Sequence, residues 1–175
     1  LCDEVLSKAK RGHTAEDSLK AARLIIESGF ELGMQMMCGL PADTKQNDIE
    51  TAQKIIDIGC KQVRIYPVVV IGGTYLEKMY LNGDYTPLSV DEAVDVCATL
   101  YGMFKAAGVT VLKIGLHTDS GAVAGPFHPA FGELVRSQVF FNEITAKIIN
   151  ATILNWKSIS ISRLRVQKTT CSWLI

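Results

Sequence analysis

No two of the five cysteines in this 175-residue sequence are close enough to form a CxxC or CxxxCxxC motif, and their number is odd. Metal-site spacing is therefore absent. Scattered at apolar positions, Cys2, Cys38, Cys60, Cys97 and Cys171 read as reduced core residues of a cytoplasmic protein rather than as disulfides or ligands. An excess of charge of either sign is lacking as well, since 18 Lys+Arg balance 18 Asp+Glu. Bulk charge thus gives no drive toward nucleic acid or an anionic membrane, although it leaves room for a local basic patch. Apolar runs such as Ile65 to Ile71 fall far short of the roughly 20 residues that a membrane helix needs. There is no initiator methionine, and the opening Leu1-Cys2-Asp3-Glu4 is helix-like without the charged and apolar regions of a signal peptide. It reads as the interior of a longer protein.

What is present is enough apolar material for one core: 48% of the residues are hydrophobic, which suits one domain or one domain plus a tail. Residues 3 to 10 read as the end of a helix, and Thr14-Ala15-Glu16-Asp17 as a capping box. Leu19, Ala22, Ile25 and Ile26 then recur at helical spacing, predicting a helix over 15–28. Phe30 to Met37 suits a buried strand, with Met34, Met36 and Met37 as core filler, of which two on one face could contact an apolar ring. A helix follows over 45–58, and Gln62 to Val70, rich in Val, Ile and Tyr, is the strongest strand. After an irregular excursion holding a short helix over 75–81, Ser89-Val90-Asp91-Glu92 is a second capping box that opens a helix over 90–107. Thr110 to Leu116 is a third strand, and residues 130–140 suit a closing helix. Strands separated by helices, without hairpin signals, predict a parallel α/β fold whose helices cover both sheet faces or wrap a TIM-like barrel. Three strands cannot close a barrel, so part of the sheet belongs to sequence outside this chain.

Several residues could carry chemistry. Lys10-Arg11-Gly12-His13-Thr14, just before a helix N-terminus, is either a solvated turn or a holder of carboxylate or phosphate. Gly39-Leu40-Pro41-Ala42-Asp43-Thr44 joins a strand to a helix, where parallel folds place ligand loops, and an ordinary turn would look the same. Arg64 and Tyr66, two apart on a strand, share a face, and an Arg inside a buried strand needs a partner or a polar cavity. His117 and His128 stand at a strand end and between two prolines; either could serve acid/base chemistry or be an ordinary loop histidine.

In order and spacing, Asp3-Glu4-Val5-Leu6, Arg11-Gly12-His13-Thr14, Gln35-Met36-Met37-Cys38-Gly39-Leu40-Pro41-Ala42-Asp43-Thr44, Val63-Arg64-Ile65-Tyr66-Pro67 and Gly73-Thr74 resemble the radical S-adenosylmethionine (SAM) superfamily. The resemblance covers about residues 1–143, including the stretch Ala124 to Val135, and is closest to Elongator catalytic subunit-like proteins, which share motifs with oxygen-independent coproporphyrinogen III oxidases. It implies the C-terminal half of a (β/α)6 barrel that holds SAM and a [4Fe-4S] cluster at the carboxyl ends of its strands. Reductive cleavage of SAM there gives a 5'-deoxyadenosyl radical that abstracts a substrate hydrogen.

By that resemblance Arg11 contacts the SAM carboxylate region, as a bidentate guanidinium can. Gln35 falls where the oxidases bind the ribose hydroxyls through aspartate, a bond an amide can also make. Gly39, Leu40 and Pro41 match the turn near adenosine, and the strand from Ile65 to Val69 flanks adenine. Arg64, Tyr66 and His128 are left for the substrate side, the substrate being transfer RNA or a small molecule.

The cluster-binding CxxxCxxC and the glycine-rich turn for the SAM amino group belong to the absent half of the barrel, so this chain contributes no metal ligand and is expected to be inactive alone. The alternatives are a half-barrel scaffold that pairs with a cluster-bearing chain, and an unrelated β/α-barrel enzyme. Residues 1–143 form the core and its closing segment, and 144–175 an unassigned tail.

Overall fold

The computed structural model describes residues 1–115 together with Ala146 and Lys147. The elements run α1 (Asp3–Lys8), α2 (Ala15–Glu27), β1 (Gly33–Cys38), α3 (Lys45–Asp57), β2 (Gln62–Pro67), α4 (Tyr75–Leu81), α5 (Val90–Ala106) and β3 (Thr110–Ile114). Both expected capping boxes form. Thr14 Oγ1 accepts from the Asp17 amide at 3.1 Å while Asp17 accepts from the Thr14 amide at 2.9 Å. Ser89 and Glu92 repeat the exchange at 3.3 and 2.8 Å. Each box satisfies amides that the first turn of a helix leaves free.

The three strands are parallel, in the order β1-β2-β3. Met34 pairs with Val63, Met36 with Ile65 and Cys38 with Pro67; on the alternate positions Gln35 pairs with Arg64 and Met37 with Tyr66. Strand side chains alternate between faces, so these pairs sort into two sets. The first set is buried under α3 and α5. There Ala52 and Ile55 of α3 and Cys97, Leu100 and Phe104 of α5 close on Cys38, Val63 and Ile65, all at most 1% exposed.

The other set is not buried. Gln35 and Arg64 are exposed, and Met37 and Tyr66 are half-buried. The sequence pattern predicts helices on both faces or around a barrel; among the described residues, α3 and α5 cover one face. Arg64 is accordingly not enclosed in a buried strand. At its carboxyl end β2 stops at Pro67, three residues short of the apolar run, because proline has no amide to continue the ladder. Val68 makes one further bond, to the Cys38 carbonyl at 2.9 Å. Val68 and Val70 then bury themselves against Tyr85 in a small second cluster that includes Met37 and Leu40. β1 starts at Gly33 rather than Phe30, and Phe30 is 71% exposed.

Candidate functional site

Parallel sheets present their ligand loops at the carboxyl ends of the strands, which here means first the turn after β1. Gly39 leaves the strand at φ +80°, and a Cβ there would stand 2.7 Å from Leu88 Cδ1, so the position requires glycine twice over. Its amide donates to Asp43 Oδ2 at 3.2 Å, and its carbonyl accepts from the Tyr85 hydroxyl at 2.6 Å. The Asp43 amide donates to the Leu40 carbonyl at 2.9 Å, and Thr44 caps α3 by accepting from the Asn47 amide at 3.2 Å. The turn is thus anchored from both sides. Burial pushes the Tyr85 phenol up to about 12, so it remains a donor at neutral pH.

Beneath the turn lies Asp48, 3% exposed. Burial above all, then the charge of Asp43 and a hydrogen bond to it, push the Asp48 carboxyl up to about 8, with the Leu1 ammonium acting in the opposite sense. At neutral pH Asp48 is therefore protonated and donates to Asp43. The pair carries one negative charge, on the residue that also receives the Gly39 amide.

A cavity of about 140 Å³ opens against this turn. It brings together Arg11, Gln35 and Leu40, three of the residues to which the resemblance gives a role toward SAM, and adds His13, Met37, Asp43 and Asp48. Met34 to Met37 all line it, although they alternate between the two faces of β1, so the cavity runs along the free edge of that strand with α1 and α3 as its walls. A second cavity, about 460 Å³, lies on the other side of the turn between the N-termini of α3 and α5. Asp43, Asp91, Glu92 and Asp95 make it acidic, with the neutral Asp48 beside them. Lys147, at 2.7 Å, and Lys45 pair with Asp95 and hold its carboxyl below the usual carboxylate range. Asp43 just before α3 and Asp91 and Glu92 in the first turn of α5 complement the helix dipoles, which accounts for that cavity without a ligand.

The remaining expected residues are dispersed. Gly39 borders the second cavity, and Pro41 is buried in the turn. The Ile65 side chain is 0% exposed and faces the helices, so it cannot touch adenine; only its backbone is near the strand end, where its carbonyl accepts from the Gly115 amide at 3.0 Å. Arg64 and Tyr66 do share the uncovered face, as the two-residue spacing predicts. The turn at Lys10–Thr14 is exposed, with His13 Nδ1 3.1 Å from the Arg11 carbonyl oxygen and Lys10 3.8 Å above the Tyr75 ring of α4. His117, His128, Ala124 to Val135, the closing helix and the tail, apart from Ala146 and Lys147, lie outside the described residues, as does Cys171.

Sequence reasoning missed Asp48 and Tyr85. Asp48 was findable, because it falls four residues before Ala52 on the buried stripe of α3, and a carboxyl at such a position must be protonated or paired. Tyr85 lies in irregular chain with no pattern to mark it. For SAM, the guanidinium of Arg11 and the amide of Gln35 at one cavity are donors that fit a carboxylate and a diol. For the cluster nothing fits: Cys38, Cys60 and Cys97 are buried, and no three metal-ligating side chains converge among the described residues. The hydrogen bond to Cys97, reinforced by burial, raises the Cys38 thiol well above its ordinary range, which keeps it from acting as a thiolate.

The cavity thus stands at the end of a strand in a three-stranded parallel sheet, and residues 60–140 match the Radical_SAM C-terminal domain. The chain is also similar in sequence to Elongator-type proteins. It is 36% identical over 97 residues to a tRNA uridine(34) acetyltransferase of Methanocaldococcus jannaschii, a match covering 54% of this chain and 18% of that protein. With Elongator complex protein 3 of Dictyostelium discoideum it shares 29% over 104 residues, covering 58% and 19%. The solved structure of Methanocaldococcus infernus Elp3, lacking its N-terminal residues 1–46, superposes with a TM-score of 0.59 at 30% identity, over 67% of this chain and 28% of that one. The chain spans less than a fifth of the length of these two curated relatives.

Proposed function

We propose that this chain is the C-terminal part of a radical SAM core, running through residue 143, and that it supplies one wall of a SAM site. The observation that carries this reading is the convergence of Arg11 with Gln35 and Leu40 on one cavity, from two separate parts of the sequence, beside an anchored glycine turn. Arg11 holds the carboxylate end, Gln35 the ribose, and the Gly39-Leu40-Pro41 backbone together with the backbone of Ile65 borders the adenosine. Bound SAM and a [4Fe-4S] cluster would supply a hydrogen-abstracting radical; the cluster ligands would come from a preceding segment. The uncovered face, with Arg64 and Tyr66, then looks toward the substrate, as His128 would. The name of one group of relatives, tRNA uridine(34) acetyltransferase, points to transfer RNA as that substrate, and the free cysteines suit a cytoplasmic setting. Among the described residues no helix is long and apolar enough to cross a membrane.

The edge position of β1 in the order β1-β2-β3 supports a linked reading, in which that edge receives another parallel strand beside the cavity. In the full enzyme this strand precedes Leu1. In the scaffold version it belongs to a separate cluster-bearing chain. Anaerobic reconstitution with iron and sulfide of the longer reading frame, if one encodes an upstream CxxxCxxC, should release 5'-deoxyadenosine from SAM under reduction. A frame without that motif, or a reconstituted protein that leaves SAM intact, would sink the full-enzyme reading.

A further inference from the structure

The uncovered face of the sheet carries two cations that have been brought together by an irregularity. In β2–β3 pairing, Val63 faces Val111, but the next residue, Arg64, faces Lys113 rather than Leu112. Regular pairing would have set Lys113 against Ile65, directed at the helix-packed core. The slip by one residue places Lys113 beside Arg64 and returns Ile114 to the core, where it is 5% exposed. Neighbouring strands lie about 4.8 Å apart, so the two side chains rise from adjacent positions, and like charges so placed repel. Among the described residues neither has a carboxylate partner, since the ion pairs involve only Arg23–Glu16, Lys45–Asp95 and Lys147–Asp95. Bulges beside functional sites re-aim side chains, and a repelling, unpaired Arg–Lys couple is complementary to an oxyanion.

We infer that Arg64 and Lys113 form an oxyanion site that holds a phosphate or carboxylate of the substrate. Its place on the substrate side rests on the reading of this face as the interior of the barrel. In that arrangement Gln35, the register partner of Arg64 on its other side, would hold the ribose of SAM one strand away. The row Gln35–Arg64–Lys113 therefore sets an anionic group of the substrate next to the cofactor, while Met37 and Tyr66, one step nearer the strand ends, offer an apolar and aromatic surface for the rest of it.

The test is to follow the Arg Nε–Hε NMR signals of the 175-residue chain during titration with methyl phosphate, dimethyl phosphate and acetate at constant ionic strength. The site predicts a saturable shift of the Arg64 signal that chloride does not produce, weakened about tenfold in midpoint in Lys113→Gln. Lys61→Gln, an exposed change elsewhere, should leave it unaltered, and an unchanged melting temperature would show that Lys113→Gln remains folded. A stronger response to the phosphate esters identifies a phosphate-bearing substrate; a stronger response to acetate identifies a carboxylate. Shifts matched by chloride, or unchanged in Lys113→Gln, would overturn the site. Titration with SAM separates the two readings: it should shift Arg11. An oxyanion effect at Arg64 without a SAM effect at Arg11 would overturn the substrate-side assignment.

Discussion

On the helix-covered face of the sheet, Cys38, Val63 and Ile65 lie fully buried beneath Leu100 and Phe104; on the other, Gln35 and Arg64 of the same strands stand exposed. Only one residue step separates the two environments. Strands sandwiched between helices read as continuous apolar runs, because both faces need oil. Here the interior of β2 alternates Val63, Arg64, Ile65, Tyr66, and β3 breaks its register to keep Lys113 off the core. The covered face thus holds the sheet, whereas the other, among the described residues, is left polar and open to contact.

If that division is right, the largest effect of substitution lies on the covered face. Phe104→Ala should cost about 3–5 kcal/mol in urea unfolding, because it empties a fully enclosed site between α5 and the sheet. A loss below about 1 kcal/mol would mean that α5 does not seal the sheet.

Asp48 provides the second test, since it is a buried carboxyl at the seam between the packed layer and the cavity. Its folded-state value of about 8 lies above the ordinary 3.8, so the folded protein binds the proton more tightly than the unfolded chain. Stability from this group is thus complete at low pH and is lost as pH rises from about 4 to about 8. Asp48→Asn, a neutral mimic of the protonated form, should remove that slope and stabilise the protein by a few kcal/mol at pH 8. A variant with an unchanged pH profile would contradict the protonated pair.

Smaller effects belong to the turn. Tyr85→Phe removes the donor to the Gly39 carbonyl and should cost about 1 kcal/mol while weakening SAM binding, measured by calorimetry. Smallest of all, Lys113→Gln on the uncovered face should change unfolding free energy by less than about 0.5 kcal/mol, and relief of its repulsion with Arg64 favours a slight gain. A loss as large as that of Phe104→Ala would erase the distinction between the faces.

Much of this arrangement was legible in the sequence, for identifiable reasons. The capping boxes at Thr14 and Ser89 combine a hydroxyl with a carboxylate three residues on, a local exchange of bonds that needs no tertiary partner. Arg11, Gln35 and Leu40 were nameable by their motifs, and the fold joins them. Ile65 shows the limit: a motif assigns a position, and strand alternation decides which way the side chain points. The exit of Val68 to Val70 from the sheet, the tie from Tyr85 to Gly39 and the slip that delivers Lys113 depend on contacts between distant segments, which no local pattern encodes.

Whether the cavity beside β1 is a SAM wall is tested most directly by hydrogen–deuterium exchange of the 175-residue chain with and without millimolar SAM. Protection confined to peptides spanning Arg11–Thr14 and Gln35–Pro41, with those of α5 unchanged, is the expected result. Exchange unaffected by SAM in both peptides, or protection found only along α5, would contradict it.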